Sequence, residues 1–228
     1  MKVGVLFSGG KDSTYAAYLA GQRGDELRCL ITLSPLRSDS YMFHYPNIRW
    51  TALQAEAMHL PQATLETEGV KEEELADLSK AIELAKRDHS IQGVYTGALA
   101  SVYQKSRVER VCDELGVKAV SPLWHVDPMT HLTNILASGF EVIMTGVAAL
   151  GLDESWLGRP LDEGAARDLG RLHAKYGVNP GLEGGEGETF VLDCPLFDRR
   201  ISVVSSRRHW QGDAGYLEIL EARLVPKW

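Results

Sequence analysis

The chain of 228 residues is short of cysteine, of long apolar runs and of positive charge, and each shortage removes a class of protein. Its three cysteines, Cys29, Cys112 and Cys194, are odd in number, far apart and form no C-x-x-C pair. That excludes a disulfide framework and a cysteine-based zinc site, and leaves three buried, inert thiols as the expectation. No apolar stretch approaches the ~20 residues that a membrane-spanning helix needs. Met1-Lys2-Val3-Gly4-Val5-Leu6-Phe7 is too short for a signal h-region and lacks a small-residue cleavage site, so a cytoplasmic protein without membrane association is expected. The net charge is −7, and the compact basic cluster is Arg199-Arg200 followed by Arg207-Arg208-His209. Proteins that hold long nucleic acids carry a basic footprint, so no stable nucleic-acid binding is expected. The cluster reads either as a contact for a phosphate or an acidic protein surface, or as a solvated strand face.

What is present is an alternation of strands and helices. Val3–Phe7, Cys29–Leu33, Ala63–Glu66, Gly93–Gly97, Lys118–Val120 and Glu141–Thr145 read as short buried strands. Helices are expected from Asp12 to about Gly21, near Ile48–Met58, over Lys71–Asp88 and over Val102–Leu115. Such alternation predicts a Rossmann-like, doubly wound parallel sheet covered on both faces. After Gly151 the pattern changes to a helix near Asp162–Tyr176 and strands at Thr189–Leu192, Arg200–Ser205 and Tyr216–Val225, with no helices between the strands. A smaller C-terminal α+β domain is expected there. The division is drawn at residues 1–150 and 151–228, with nucleotide binding assigned to the first part and substrate binding to the second.

Between the first strand and the first helix lies Ser8-Gly9-Gly10-Lys11-Asp12-Ser13. Gly9 and Gly10 let the backbone turn sharply and bring N–H groups close to an anion. The helix that follows presents free N–H groups and the positive end of its dipole to the same point. Lys11 adds a full charge, and Ser8 and Ser13 add hydroxyl donors. Asp12 would repel phosphate unless it binds Mg²⁺ or caps the helix. A Walker A loop is excluded, because Val5 stands where its first glycine belongs and Asp12 where it needs Ser or Thr. A G-x-G-x-x-G dinucleotide fingerprint is absent too.

The loop matches the SGGxDS signature of the N-type ATP pyrophosphatases, which share an adenine nucleotide α-hydrolase fold. Three further stretches resemble the diphthine–ammonia ligase family within it, archaeal-type sequences in particular. Ser40-Tyr41-Met42-Phe43-His44-Tyr45-Pro46-Asn47 is similar to that family's S-x-M-F-H-x-x-N. Gly97-Ala98-Leu99-Ala100-Ser101-Val102-Tyr103-Gln104-Lys105-Ser106-Arg107-Val108-Glu109 is similar to G-A-I-x-S-x-Y-Q-x-x-R-V-E. Gly184-Gly185-Glu186-Gly187-Glu188-Thr189 is similar to the end of G-E-G-G-E-Y-E-T, with Gly187 where the family has Tyr. The resemblance runs from Met1 to about Leu196.

The resemblance implies an ATP- and Mg²⁺-dependent ligase that converts diphthine to diphthamide on translation elongation factor 2. The diphthine carboxylate is adenylated, pyrophosphate leaves, and ammonia displaces AMP. Ammonium is the expected nitrogen source, since no cysteine is placed for glutamine hydrolysis. Ser8 to Ser13, the backbone of Thr32 and Leu33, His44, Gly97, Ala98 and Gln104 are expected at the nucleotide, with Asp12 at the metal. Lys11, Asp12, Arg107, Glu186 and Glu188 are the expected catalytic set, Arg107 stabilising charge on the α-phosphate. Tyr103, Glu183, Gly184, Gly185, Glu186 and Glu188 are assigned to substrate, the glutamates forming a flexible acidic loop for ammonium or the trimethylammonium group.

Plainer readings stand beside these. Tyr103 reads equally as helix core, His44 as a loop hydrogen-bonder, Arg107 as the partner of an acidic neighbour, and the glycine–glutamate loop as a solvated hairpin turn. The sequence leaves the oligomeric state open, a homodimer included. The alternative functions are a tRNA-modifying ATP pyrophosphatase and a non-catalytic adenine-nucleotide binder.

Overall fold

The computed structural model describes residues 1–35, 47–67 and 73–227. The chain divides into two compact units, Met1–Trp124 and His125–Trp228.

In the first unit, β1 (Lys2–Leu6), β2 (Glu26–Pro35), β3 (Gln62–Thr67), β4 (Gly93–Tyr95) and β5 (Lys118–Val120) pair in parallel. Among the described residues the sheet runs β3-β2-β1-β4-β5. α1 (Lys11–Gln22), α2 (Thr51–Ala57), α3 (Glu73–His89) and α4 (Val102–Leu115) connect the strands. Val3, Val5, Leu30, Ile31 and Val94 are almost fully buried, as expected for strands covered on both faces. Each such side chain contributes about 1.5–3 kcal/mol of burial. α3 and α4 lay Leu78, Ile82, Val108 and Val111 on this sheet, with Cys29 and Cys112 inside the same cluster. The helix ends follow local chemistry. Ser101 caps α4 by accepting from the Gln104 N–H, and Gly116 ends it in the left-handed conformation.

The second unit carries α5 (Pro128–Ala137), β6 (Glu141–Val147), α6 (Glu163–Tyr176), β7 (Gly187–Asp193), β8 (Arg199–Gln211) and β9 (Ala214–Pro226). Its antiparallel sheet runs β7-β6-β9-β8 among the described residues. This corrects the reading of Glu141–Thr145 as one more strand of the parallel alternation. A β-α-β succession in sequence does not say whether the second strand returns to the first one's sheet. β6 instead pairs with β7 and β9, which lie tens of residues further on. The sheets therefore divide before β6, while the composition changes only after Gly151. α5 was not expected, although Asp127 caps it through the Thr130 N–H, and Pro128 occupies its first turn.

All three cysteines are buried, and burial pushes each thiol up to about 12. The basic stretch of β8 is largely taken up inside its own unit. Arg200 pairs with Glu141 at 2.8 Å, Arg208 Nε donates to the Leu157 carbonyl and His209 meets Glu218 at 2.9 Å. These contacts favour the structural reading of that cluster. No described helix is long and apolar enough to cross a membrane.

Candidate active site

In the first sheet β1 lies between β2 and β4, so the chain leaves β1 for one side of the sheet and later fills the other. At such a switch point the loops after the two central strands diverge and leave a crevice at the carboxyl ends of the strands. The loop after β1 is Ser8 to Gly10, running into α1, and the loop after β4 carries Gly97 and Ala98.

The first loop is closed by its own side chains. The Ser13 hydroxyl accepts from the Ser8 N–H at 3.2 Å and donates to the Gly10 carbonyl at 3.2 Å. Thr14 Oγ1 donates to the same carbonyl at 2.9 Å. Gly10 is the N-cap of α1, with an extended backbone and no capping side chain of its own. Gly9 has φ +80°, which glycine adopts without strain. Lys11 is nearly buried, its side chain 3 % exposed against 27 % for Asp12, and its ammonium donates to Asp12 Oδ2 at 2.8 Å. The cation therefore points back into the loop, and the carboxylate is the partner that meets solvent. Among the described residues no group of three His, Cys, Asp or Glu side chains is placed around a metal. A single accessible carboxylate does fit Mg²⁺ carried mostly by nucleotide phosphates and water.

Gly97 has a role that its motif did not disclose. A β-carbon there would lie 2.7 Å from the Asp12 carbonyl carbon and from the Ser13 nitrogen. Only glycine lets the β4 loop pack against the first turn of α1, so this position joins the two halves of the crevice. Thr96 Oγ1 accepts from the Ala98 N–H at 3.3 Å and shapes the turn beyond. In α4, the Arg107 guanidinium lies over the Tyr103 ring, with Cζ 3.3 Å from its centroid. Arg107 makes no ion pair among the described residues, whereas Lys105 pairs with Glu109. Tyr103 thus serves as a platform for the guanidinium. Gln104 is half-buried on the same helix.

Thr32 and Leu33 lie within β2. The Thr32 hydroxyl is buried and donates to the Phe7 carbonyl at 2.9 Å, and the Leu33 side chain lies in the core cluster. Both side chains face inward, which leaves only backbone for a nucleotide. His44 lies outside the described residues.

The glycine–glutamate loop of the second unit is hydrogen-bonded at its base. β7 begins at Gly187, so Glu188 is a strand residue opposite Gly146. Glu186 Oε2 accepts from the Asn179 N–H at 2.5 Å, and the Glu186 carbonyl accepts from the Ala148 N–H at 2.9 Å. Glu183 precedes the exposed tip, Gly184 and Gly185, with φ +73° and +83°. The loop is thus tied down on both sides of a short glycine tip. Leu182 has φ +61° yet is 4 % exposed. Its burial, about 2 kcal/mol, outweighs the left-handed strain of about 1 kcal/mol.

Sequence reasoning missed Gln54, Thr51 and Gln62. Gln54 Nε2 donates to the Gly9 carbonyl at 3.0 Å, and Gln62 Nε2 donates to Thr51 Oγ1 at 2.7 Å and Thr32 Oγ1 at 2.8 Å. The only sequence signal was polar residues at positions that a core-facing helix and strand would fill with apolar ones.

Comparison with known proteins covers nearly the whole chain. Residues 1–119 match the family described as diphthamide synthase N-terminal domain, and residues 127–225 its C-terminal domain. A Bos taurus protein named diphthine–ammonia ligase is 37 % identical over 252 residues, spanning all of this chain and 94 % of its own. The Mus musculus protein of that name is 39 % identical over 225 residues, 90 % of this chain and 84 % of its own. The one from Schizosaccharomyces pombe is 35 % identical across all of this chain, which spans 41 % of that longer protein. On these matches the chain belongs to the diphthine–ammonia ligase family.

Proposed function

We propose that this protein is an ATP-dependent amide ligase that completes diphthamide on translation elongation factor 2. A diphthine carboxylate oxygen attacks the α-phosphorus of ATP, the bond to the β-phosphate oxygen breaks, and pyrophosphate leaves. Ammonia then attacks the acyl carbon, the bond to the AMP oxygen breaks, and the amide forms with loss of a proton. The observation that carries this reading is the Ser8–Ser13 loop at the sheet's switch point, with Gly97 packed against the Asp12–Ser13 backbone.

Each residue has a task in that chemistry. The N–H groups at the start of α1 hold the departing pyrophosphate, and the Lys11 ammonium, drawn back onto Asp12, adds positive charge behind them. Mg²⁺, held by Asp12 and phosphate oxygens, would supply further charge neutralisation there. Arg107, lying over the Tyr103 ring, stabilises the charge that develops on the α-phosphate. In the second unit, which we assign to substrate, Glu186 spends Oε2 on Asn179 and keeps its negative charge for a cation. Glu183 and Glu188 flank it. The diphthine trimethylammonium group and the ammonium ion are both cations of the kind such a loop attracts.

The test is release of AMP and pyrophosphate by the purified protein. Release should require both ammonium and elongation factor 2 carrying diphthine. ATP turnover that responds to tRNA, and not to the elongation factor, would replace this reading with a tRNA-modifying one.

A further inference from the structure

An anion site made of backbone N–H groups works only if the neighbouring carbonyls are turned away. In the Ser8–Ser13 loop three of them are. The Phe7 carbonyl accepts from Thr32 Oγ1, the Gly10 carbonyl from Ser13 Oγ and Thr14 Oγ1, and the Gly9 carbonyl from Gln54 Nε2. The first two locks come from the adjoining strand and from the loop's own helix. The third comes from α2, 45 residues away in sequence.

The third lock acts on the Gly9–Gly10 peptide. A Gly-Gly unit can rotate its peptide plane with little steric penalty. In a trans peptide the carbonyl of one residue and the N–H of the next point in opposite directions. Holding the Gly9 carbonyl against α2 therefore aims the Gly10 N–H outward, toward the anion side of the loop. Packing reinforces the hydrogen bond. A β-carbon on Gly9 would sit 2.5 Å from Gln54 Oε1 and 3.0 Å from Thr51 Cγ2, so the loop lies flat on α2. Gln54 is fully buried. Its helix is held in turn, since Thr51 Oγ1 donates to the Ile48 carbonyl and accepts from Gln62, which also reaches Thr32.

We infer that Gln54 is the positioning residue of the phosphate loop: it fixes the Gly9–Gly10 peptide so that the loop presents N–H groups, and not carbonyls, to the leaving pyrophosphate. This rests on the nucleotide reading above and adds a residue that no motif in the chain names. Gln54 does not touch substrate in this account, so its effect must appear in how the protein tells a nucleoside triphosphate from a monophosphate.

The experiment measures ATP and AMP dissociation constants by calorimetry on the full chain. The variants are Gln54→Met, near in size but without the amide, and Gln54→Glu, which sets a carboxylate against the Gly9 carbonyl. Val111→Ala, on the core-facing side of α4, serves as a destabilised control. Loss of a buried hydrogen bond on this peptide should weaken ATP binding by about tenfold or more in Gln54→Met. Gln54→Glu should weaken it further, with AMP binding little changed in both. Val111→Ala should lower the melting temperature and leave the ATP-to-AMP ratio as in the wild type. Folded Gln54 variants with a wild-type ratio would overturn the inference, as would a parallel loss of both nucleotides. If Gln54→Glu does not fold, Gln54→Met decides; if neither folds, the residue is structural and the inference falls. A wild-type protein that binds ATP but forms no amide would sink the ligase reading and leave this inference standing. One that binds neither nucleotide overturns both.

Discussion

The two glycine-rich loops of this protein use glycine for different reasons. At Gly97 a β-carbon would lie 2.7 Å from helix backbone, and at Gly9 both demands meet, a φ of +80° and Gln54 Oε1 at 2.5 Å. Around Gly184 and Gly185 nothing lies within 4 Å, and only the positive φ calls for glycine. The first loop is built by close approach, with a positive φ added at Gly9. The second is built by backbone conformation alone, at a tip whose two sides are anchored by Glu186 and by the start of β7. A shared composition thus hides a steric requirement in the first loop that the second lacks.

The comparison can be broken most sharply at the charges. Arg107→Ala should lower the adenylation rate by about 100-fold or more, if the guanidinium meets the α-phosphate as assigned. Melting temperature should move little, and Arg107→Lys should not restore the rate, because an ammonium neither stacks flat on Tyr103 nor offers a planar fork. Pre-steady-state release of pyrophosphate is the measurement.

Gly97→Ala comes next. Its methyl group would strike backbone that cannot rotate away, so a stability loss of about 3 kcal/mol is expected in denaturant titration, with ATP binding lost alongside. The matching change in the other loop, Gly184→Ala, has open space and only strain to overcome, about 1 kcal/mol. Equal losses at the two positions would erase the distinction drawn above.

Glu186→Gln keeps an oxygen for the Asn179 N–H and removes the charge. The Michaelis constant for ammonium or for the elongation factor should rise about tenfold, the scale of one charge-assisted contact. The ATP dissociation constant should not move.

The smallest effect concerns acid. The Thr130 N–H and hydroxyl hold the Asp127 carboxyl below its usual range, and the Arg159 guanidinium does the same for Asp168. A depressed value contributes stability that is present above the unfolded pKa and lost as pH falls through the folded one. The second unit should therefore lose stability below about pH 4. Asp127→Asn, which still caps α5, should flatten that slope. Melting curves followed against pH would show it.

Much of this was legible in the chain before any coordinates. The strand, the Ser8–Ser13 turn and the following helix announce themselves locally, because a buried apolar run, two glycines and a helical period are all short-range features. The parallel sheet follows from repeating that unit. What stayed hidden depends on pairing at a distance. β6 reads as a strand, but only its partners β7 and β9 decide which sheet it joins. Gln54 sits in the short, alanine-rich helix α2, and nothing near it in sequence says that its amide ends on Gly9. Glu188 looked like part of a loop because a glycine precedes it. In fact Gly187 and Gly146 make room for β6 and β7 to come together: a β-carbon on Gly146 would lie 3.1 Å from Glu188. α5 does carry a local signal, the Asp127-Pro128 start.

The three buried thiols give the molecule its own opening gauge. At neutral pH a thiol raised to about 12 holds almost no thiolate, so alkylating reagents should pass the native protein by. Cys29 and Cys112 lie in the unit with the parallel sheet and Cys194 in the other. A mass increase of one label marks transient opening of the second unit, and an increase of two marks opening of the first. Pulse labelling with ATP present or absent would then reveal, by counting adducts, which half of the molecule the nucleotide steadies.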